Sequence, residues 1–227
     1  MMAHQAMSYS QALSVRQKTV ARLSAATSLR GADTKADPTG GTRKVDHQPR
    51  TSQEESDVYV LTLDTTPSLS QPLTALRDEH FPIHLNHTSA HLTMFHALPG
   101  SEMTGIVAAL QEHCRNTRPF KLTTGAPFRM KRGVGISVQA SKAAQRLHKE
   151  LQRRWAEMLS AQDQQGWRPH WTVQNKVDDE AAVEKTMDQV QHEFQGAEGL
   201  AKGCTLWRYE SGGRWKFERG FDFGSGK

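Results

Sequence analysis

His91-Leu92-Thr93-Met94 and His170-Trp171-Thr172-Val173 are one phrase written twice: a histidine and a threonine two residues apart, with apolar residues between and after them. Side chains alternate along a strand, so each histidine points the same way as its threonine, and the apolar residues point the other way. Each copy follows a turn-like stretch, residues 86–90 and 165–169, and each runs on toward a helix start. The chain is therefore expected to contain a duplicated strand-helix unit. Two such strands side by side present two imidazoles and two hydroxyls to one cleft. That set suits in-line chemistry at a phosphodiester. One imidazole takes a proton from the nucleophile, the other gives one to the leaving oxygen, and the hydroxyls hold the non-bridging oxygens, with no metal required.

Between Val58 and Phe223 the chain resembles the 2H phosphoesterases, in their 2'-5' RNA ligase-like (LigT-like) branch. The resemblance rests on Ala90-His91-Leu92-Thr93-Met94-Phe95-His96-Ala97-Leu98-Pro99, on Gly133-Val134-Gly135, on Pro169-His170-Trp171-Thr172-Val173-Gln174-Asn175-Lys176 and on Leu206-Trp207-Arg208-Tyr209. It implies an α+β, bilobal fold of two similar lobes around a central cleft, with His91, Thr93, His170 and Thr172 as catalytic residues. It also implies a metal-independent phosphodiesterase acting on 2',3'-cyclic phosphate RNA ends or small cyclic nucleotides, with 2'-5' ligation as the reverse direction. No cofactor is expected. Two other classes stay open: a non-catalytic RNA- or nucleotide-binding module, and a 2H enzyme of other specificity, such as an RNA 3'-end exonuclease or a cyclic ADP-ribose-phosphate phosphodiesterase.

Charge locates the folded part. The whole chain carries +5, but residues 1–50 hold eight Lys/Arg against three Asp/Glu, leaving 21 of each sign from residue 51 onward. The basic balance thus belongs to the N-terminus, and RNA contact is expected to be local, around a cleft, with no broad basic face. Residues 1–56 are rich in Ser, Thr, Ala, Gln and Gly and poor in aromatics, so they read as a disordered basic tail ahead of a domain over 57–227. Arg16, Lys18, Arg22 and Arg30, with no acidic residue before Asp33, also fit a mitochondrial presequence. Deleting residues 1–50 is expected to preserve cooperative unfolding and catalysis; a truncated protein that melts without cooperativity would place the tail in the fold. No apolar run is long enough to span a membrane, and Cys114 and Cys204 lack metal or redox spacing. The expected protein is an intracellular monomer, cytoplasmic or nuclear, with mitochondria as the alternative.

Periodicity predicts strands over 58–64, 91–98, 134–139 and 170–177 and helices over 68–80, 101–114, 141–162 and 178–194. Ser101 is the expected N-cap of the second helix. Gly125 and Pro127 are expected to break residues 118–130 into short strands, and Ser211-Gly212-Gly213 to turn a hairpin between 200–209 and 214–223. Further candidates surround the two motifs. Trp207 and Tyr209 share one strand face and Trp215 and Phe217 another, and these aromatics form either a nucleobase-stacking wall or the core side of the hairpin. Lys131, Arg132, Lys176 and Arg208 are candidates to neutralise phosphate, with Lys131 and Lys176 placed beside the aromatics in substrate binding. The histidines at 80, 84, 87, 91 and 96 match no zinc spacing, so no metal site is expected, and His96 is read as structural, following the strand. Gly133-x-Gly135 lacks the third glycine of a dinucleotide loop and is set aside.

Overall fold

The computed structural model describes residues 48–224. The expected tail lies, up to residue 47, outside the described residues, and so does its targeting reading. From Arg50 the chain is already tied down: the Arg50 N–H donates to the Met158 carbonyl (3.0 Å), and the Glu55 carboxylate accepts from the Ser101 O–H (2.6 Å) and N–H (3.0 Å). A deletion through residue 50 severs the first of these bonds, so a truncation that stops at 47 is the cleaner test.

Seven strands and four α-helices follow in the order β1 (Val58–Thr65), α1 (Pro67–His80), β2 (Leu92–Pro99), α2 (Met103–Asn116), β3 (Phe120–Met130), β4 (Gly133–Val138), α3 (Lys142–Arg154), β5 (His170–Gln174), α4 (Glu180–Glu193), β6 (Glu198–Glu210) and β7 (Arg214–Asp222). All strand pairs are antiparallel, in the order β1-β2-β5-β4-β3-β6-β7, and β6 also pairs with β1. This is the expected α+β architecture. The long strand β6 makes it possible: its first residues pair with β3, its later ones with β7, and its opposite edge with β1. One half of the sheet is β1, β2 and the β6–β7 hairpin, the other is β3, β4 and β5, and the motif strands β2 and β5 form the seam. Each motif strand runs into a helix, as the duplication predicts, with α2 packing on β6 and β7 and α4 on β3 and β4. Among the described residues no helix is long and apolar enough to cross a membrane.

The core takes one alternation of each strand: Leu61 and Leu63 from β1, Leu92 from β2, Ile136 from β4, Trp171 and Val173 from β5 and Leu206 from β6 are all buried. Four local expectations are corrected. The third helix stops at Arg154, because Trp155 turns into the core, and residues 155–163 form turns that carry Leu159 inward. Ser101 caps nothing; its hydroxyl is taken by Glu55, and α2 starts after a 3₁₀ turn, Gly100–Glu102. Residues 120–130 form one strand, which absorbs Gly125 and Pro127 in a register shift between Thr124 and Pro127. The first motif strand begins at Leu92 and extends to Pro99, so His96 lies within it and does not follow it.

Candidate active site

Leu92 on β2 stands opposite Trp171 on β5. Continuing that antiparallel register puts His91 across from Thr172 and Thr93 across from His170, with cross-strand Cβ atoms about 4.5–5.5 Å apart. Each imidazole therefore faces the other motif's hydroxyl. Leu92 and Trp171 are each 1% exposed, so burying the residues inside each His-x-Thr turns the four polar side chains to the other face. All four line a single cavity of about 570 Å³.

The two rings are oriented alike. His91 Nδ1 lies 2.8 Å from the Ser89 carbonyl and His170 Nδ1 lies 2.9 Å from the Arg168 carbonyl, in both cases two residues upstream. A carbonyl oxygen only accepts, so Nδ1 carries the proton in both rings, and Nε2 is left as the nitrogen that exchanges one. Each ring also meets an aromatic. The Trp215 ring centroid is 4.5 Å from that of His91, and Phe128 stands edge-on to His170 at 5.6 Å. Phe128 lies over Gly135, its partner across β3 and β4, where a Cβ would sit 2.7 Å from the phenyl Cζ. The glycine thus serves packing beside the second histidine.

Arg77, on α1, joins the two motifs. Its Nη1 donates to the Thr172 carbonyl (2.9 Å), its Nε to the Thr88 carbonyl (2.9 Å) and to Asn86 Oδ1 (3.0 Å), and its guanidinium lies 3.8 Å above the Phe81 ring. Burial lowers its pKa to about 10, so it stays charged at neutrality. The second strand and the loop that enters the first are thereby held by one buried cation. Desolvation, then the Arg77 charge, push the His91 pKa down to about 4 against the opposing bond to Ser89. His91 is consequently neutral at pH 7, with the Nε2 lone pair available to accept a proton.

His148 makes the cavity's back wall, stacked between Phe95 and Trp167 with ring centroids 4.6 Å away on each side, and its Nε2–H donates to the Met94 carbonyl. Burial holds its pKa near 4. An unfolded chain takes up a proton on this ring near pH 6.5, whereas the folded one resists until about 4, so folding stability is full above 6.5 and falls as pH drops through that window. The expected loss for His148 is on the order of 2–3 kcal/mol by pH 4. Denaturant midpoints between pH 7 and 4.5 check this, and His148→Gln should remove its share of the slope, leaving that of His91, whose pKa is lowered as far. Asp163 does not contribute in that window. Burial would raise its carboxyl, but bonds from His96 and the Ala97 N–H outweigh that and hold it below its usual value.

The remaining candidates divide. Trp207, Tyr209, Lys131 and Lys176 are outside the cavity lining. Lys131, in the turn between β3 and β4, and Lys176, between β5 and α4, are exposed, Arg132 pairs with Asp178 (2.6 Å), and Arg208 sits near Asp57 and Glu210. Trp207 is half-buried, its indole N–H donating to the Thr62 hydroxyl (2.9 Å) and its ring meeting Phe217 edge-on. Of the four hairpin aromatics it is Trp215 that lines the cavity, and so do His96, Asp163, Trp167 and Arg168. Arg168 precedes His170 by two residues but lies outside β5, so strand alternation does not place it. Nothing local could have found Asp163, which sits where a helix is expected to end. Among the described residues no group of three or more His, Cys, Asp or Glu is placed to hold a metal ion.

The sequence profile of the 2'-5' RNA ligase superfamily matches residues 65–213. Solved structures share the fold. E. coli LigT complexed with phosphate is 14% identical, with a TM-score of 0.52 over 76% of this chain and 100% of its own. The same protein complexed with 3'-AMP is 14% identical, with a TM-score of 0.52 over 74% and 99%. A protein of Thermus thermophilus is 14% identical, with a TM-score of 0.53 over 74% and 100%. No curated protein matches the sequence.

Proposed function

The chain belongs to the 2'-5' RNA ligase superfamily of 2H phosphoesterases, and from that premise we propose that it is a metal-independent phosphodiesterase of 2',3'-cyclic phosphates, at RNA 3' ends or in small cyclic nucleotides. The observation that carries this reading is the pair of imidazoles in one cavity, each with Nδ1–H committed to a carbonyl and each opposite a threonine hydroxyl. His91, kept neutral beside Arg77, is the base: its Nε2 takes a proton from water as the water oxygen attacks phosphorus. The bond from phosphorus to one ribose oxygen breaks, and His170 Nε2–H delivers its proton to that oxygen. Thr93 and Thr172 hold the non-bridging oxygens, which carry the charge throughout. With a 5'-hydroxyl in place of water as the nucleophile, the same ring opening joins it to phosphorus: His91 takes the hydroxyl proton, and His170 protonates the departing ribose oxygen.

An aromatic strip supports a nucleobase beside the phosphate. Tyr209 pairs with Trp215 and Trp207 with Phe217 across the β6–β7 hairpin, so all four share a face that begins in the cavity at Trp215 and runs outward to Phe217, which is 60% exposed. Stacking on such a strip is sequence-tolerant. The complexes of E. coli LigT with phosphate and 3'-AMP fit the same use of the cleft. Lys131 and Lys176 take no part in this reading.

Substrate length is tested by comparing a 2',3'-cyclic mononucleotide with an oligonucleotide ending in the same group, at rising salt. An RNA-end enzyme prefers the oligonucleotide and loses that preference as salt releases its phosphate contacts; a small-nucleotide enzyme prefers neither and is indifferent to salt. Cleavage of neither overturns the proposal.

A further inference from the structure

The four motif residues leave part of the cavity wall unused. It is built by His96 of β2 and by the segment between α3 and β5, which contributes Gln162, Asp163 and Arg168. His96 reaches the cavity face through a bulge. Thr62 of β1 pairs with Thr93 but Leu61 with Phe95, so the strand gains a residue at Met94, and the alternation after it is reversed. His96 therefore returns to the side of Thr93, three residues further along.

Asp163 fixes this third ring. Its carboxylate, 1% exposed, accepts from the His96 Nδ1–H (3.0 Å), from the backbone N–H groups of His96 (2.9 and 3.0 Å) and Ala97 (2.9 Å), and from the Ser160 hydroxyl (3.1 Å). The His96 side chain itself is 42% exposed. With Nδ1 bound to the saturated carboxylate, the ring is held with its Nε2 edge turned away from Asp163. Arg168 adds a permanent charge to the same wall. Gln162 lines the same wall, and its Oε1 is buried without a hydrogen-bond partner among the described residues.

We propose that His96, held by Asp163, and Arg168 form a subsite for a second phosphate of the substrate, beyond the one that is cleaved. The inference rests on the cyclic-phosphate reading above and deepens it: the favoured substrate carries at least two phosphates. The second comes either from the next phosphodiester of an RNA end or from a pyrophosphate.

Binding separates these cases without requiring turnover. The probes are adenosine 3'-monophosphate, adenosine 3',5'-bisphosphate and adenosine 3'-phosphate 5'-diphosphate, titrated calorimetrically into the full-length protein. The bisphosphate is expected to bind roughly tenfold more tightly than the monophosphate, the scale of one charge-assisted hydrogen bond. In His96→Asn and in Arg168→Gln that ratio should fall toward one, with melting temperatures confirming that both variants are folded. A gain that appears only with the diphosphate assigns the subsite to a pyrophosphate. Equal affinities in the wild type for all three probes, or a ratio unmoved by both substitutions, would overturn the subsite alone. No binding of any probe would overturn the nucleotide reading of the whole cavity and the subsite with it.

Discussion

His91→Ala and His170→Ala are each expected to lower kcat/KM on a 2',3'-cyclic phosphate by about 10²- to 10⁴-fold, the contribution of a well-placed general acid or base. The double variant should fall little below the worse single one, because base and acid act in one displacement and removal of either stalls it. Stability should change little. Both rings border an open cavity and are half-buried, and the core beneath them is made by Leu92 and Trp171, which neither substitution touches. Thr93→Ala and Thr172→Ala are expected to cost less, since each removes one hydrogen bond to an oxygen that keeps its charge. A His91→Ala protein with undiminished turnover would remove this ring from the mechanism.

Arg77→Met is expected to be the most damaging substitution outside the two motifs. It preserves the aliphatic stem but strips the donors from the Thr172 and Thr88 carbonyls and from Asn86 Oδ1, in a position only 5% exposed. An unpaired buried acceptor costs about 1–3 kcal/mol; these three are part-buried and within reach of water, so a total loss on the order of 3 kcal/mol in stability is expected. Activity should drop roughly 10²-fold, as a displacement of the second strand against the first would misplace the acid relative to the base. Arg77 acts through its neighbours, so the pH profile is its diagnostic. With the cation gone, the His91 pKa rises, and the acid limb of kcat/KM, expected well below the ordinary histidine range in the wild type, moves up toward it. Arg77→Lys should keep the charge and thus the low acid limb while losing the bidentate geometry. A profile unchanged in Arg77→Met would limit the residue to structure.

What can be read in the sequence is local. His-x-Thr declares its own facing because alternation spans three residues, and the two copies announce that the facing matters. The strand-helix order and the hairpin at Ser211-Gly212-Gly213 follow from periodicity and turn chemistry in the same way. What escapes is made by contacts distant along the chain. Arg77 meets a carbonyl 95 residues away, and Asp163 meets His96 across 67. A buried Arg within an amphipathic helix and an Asp in a turn carry no signal until the fold brings their partners. His96 escapes because the strand runs on to Pro99 and a bulge, invisible in the sequence, returns its side chain to the cavity face. The aromatic residues are visible in the sequence but their ranking is not: the closing motif favours Trp207 and Tyr209, whereas the hairpin register brings Trp215 to the His91 ring.

Two-histidine chemistry without a metal is tested most directly by incubating the wild-type protein with a short RNA ending in a 2',3'-cyclic phosphate, in excess chelator, and identifying the product phosphate isomer. The prediction is undiminished opening of the ring to a single isomer, since one histidine protonates one defined ribose oxygen. Activity that disappears in chelator and returns with a divalent cation would contradict it.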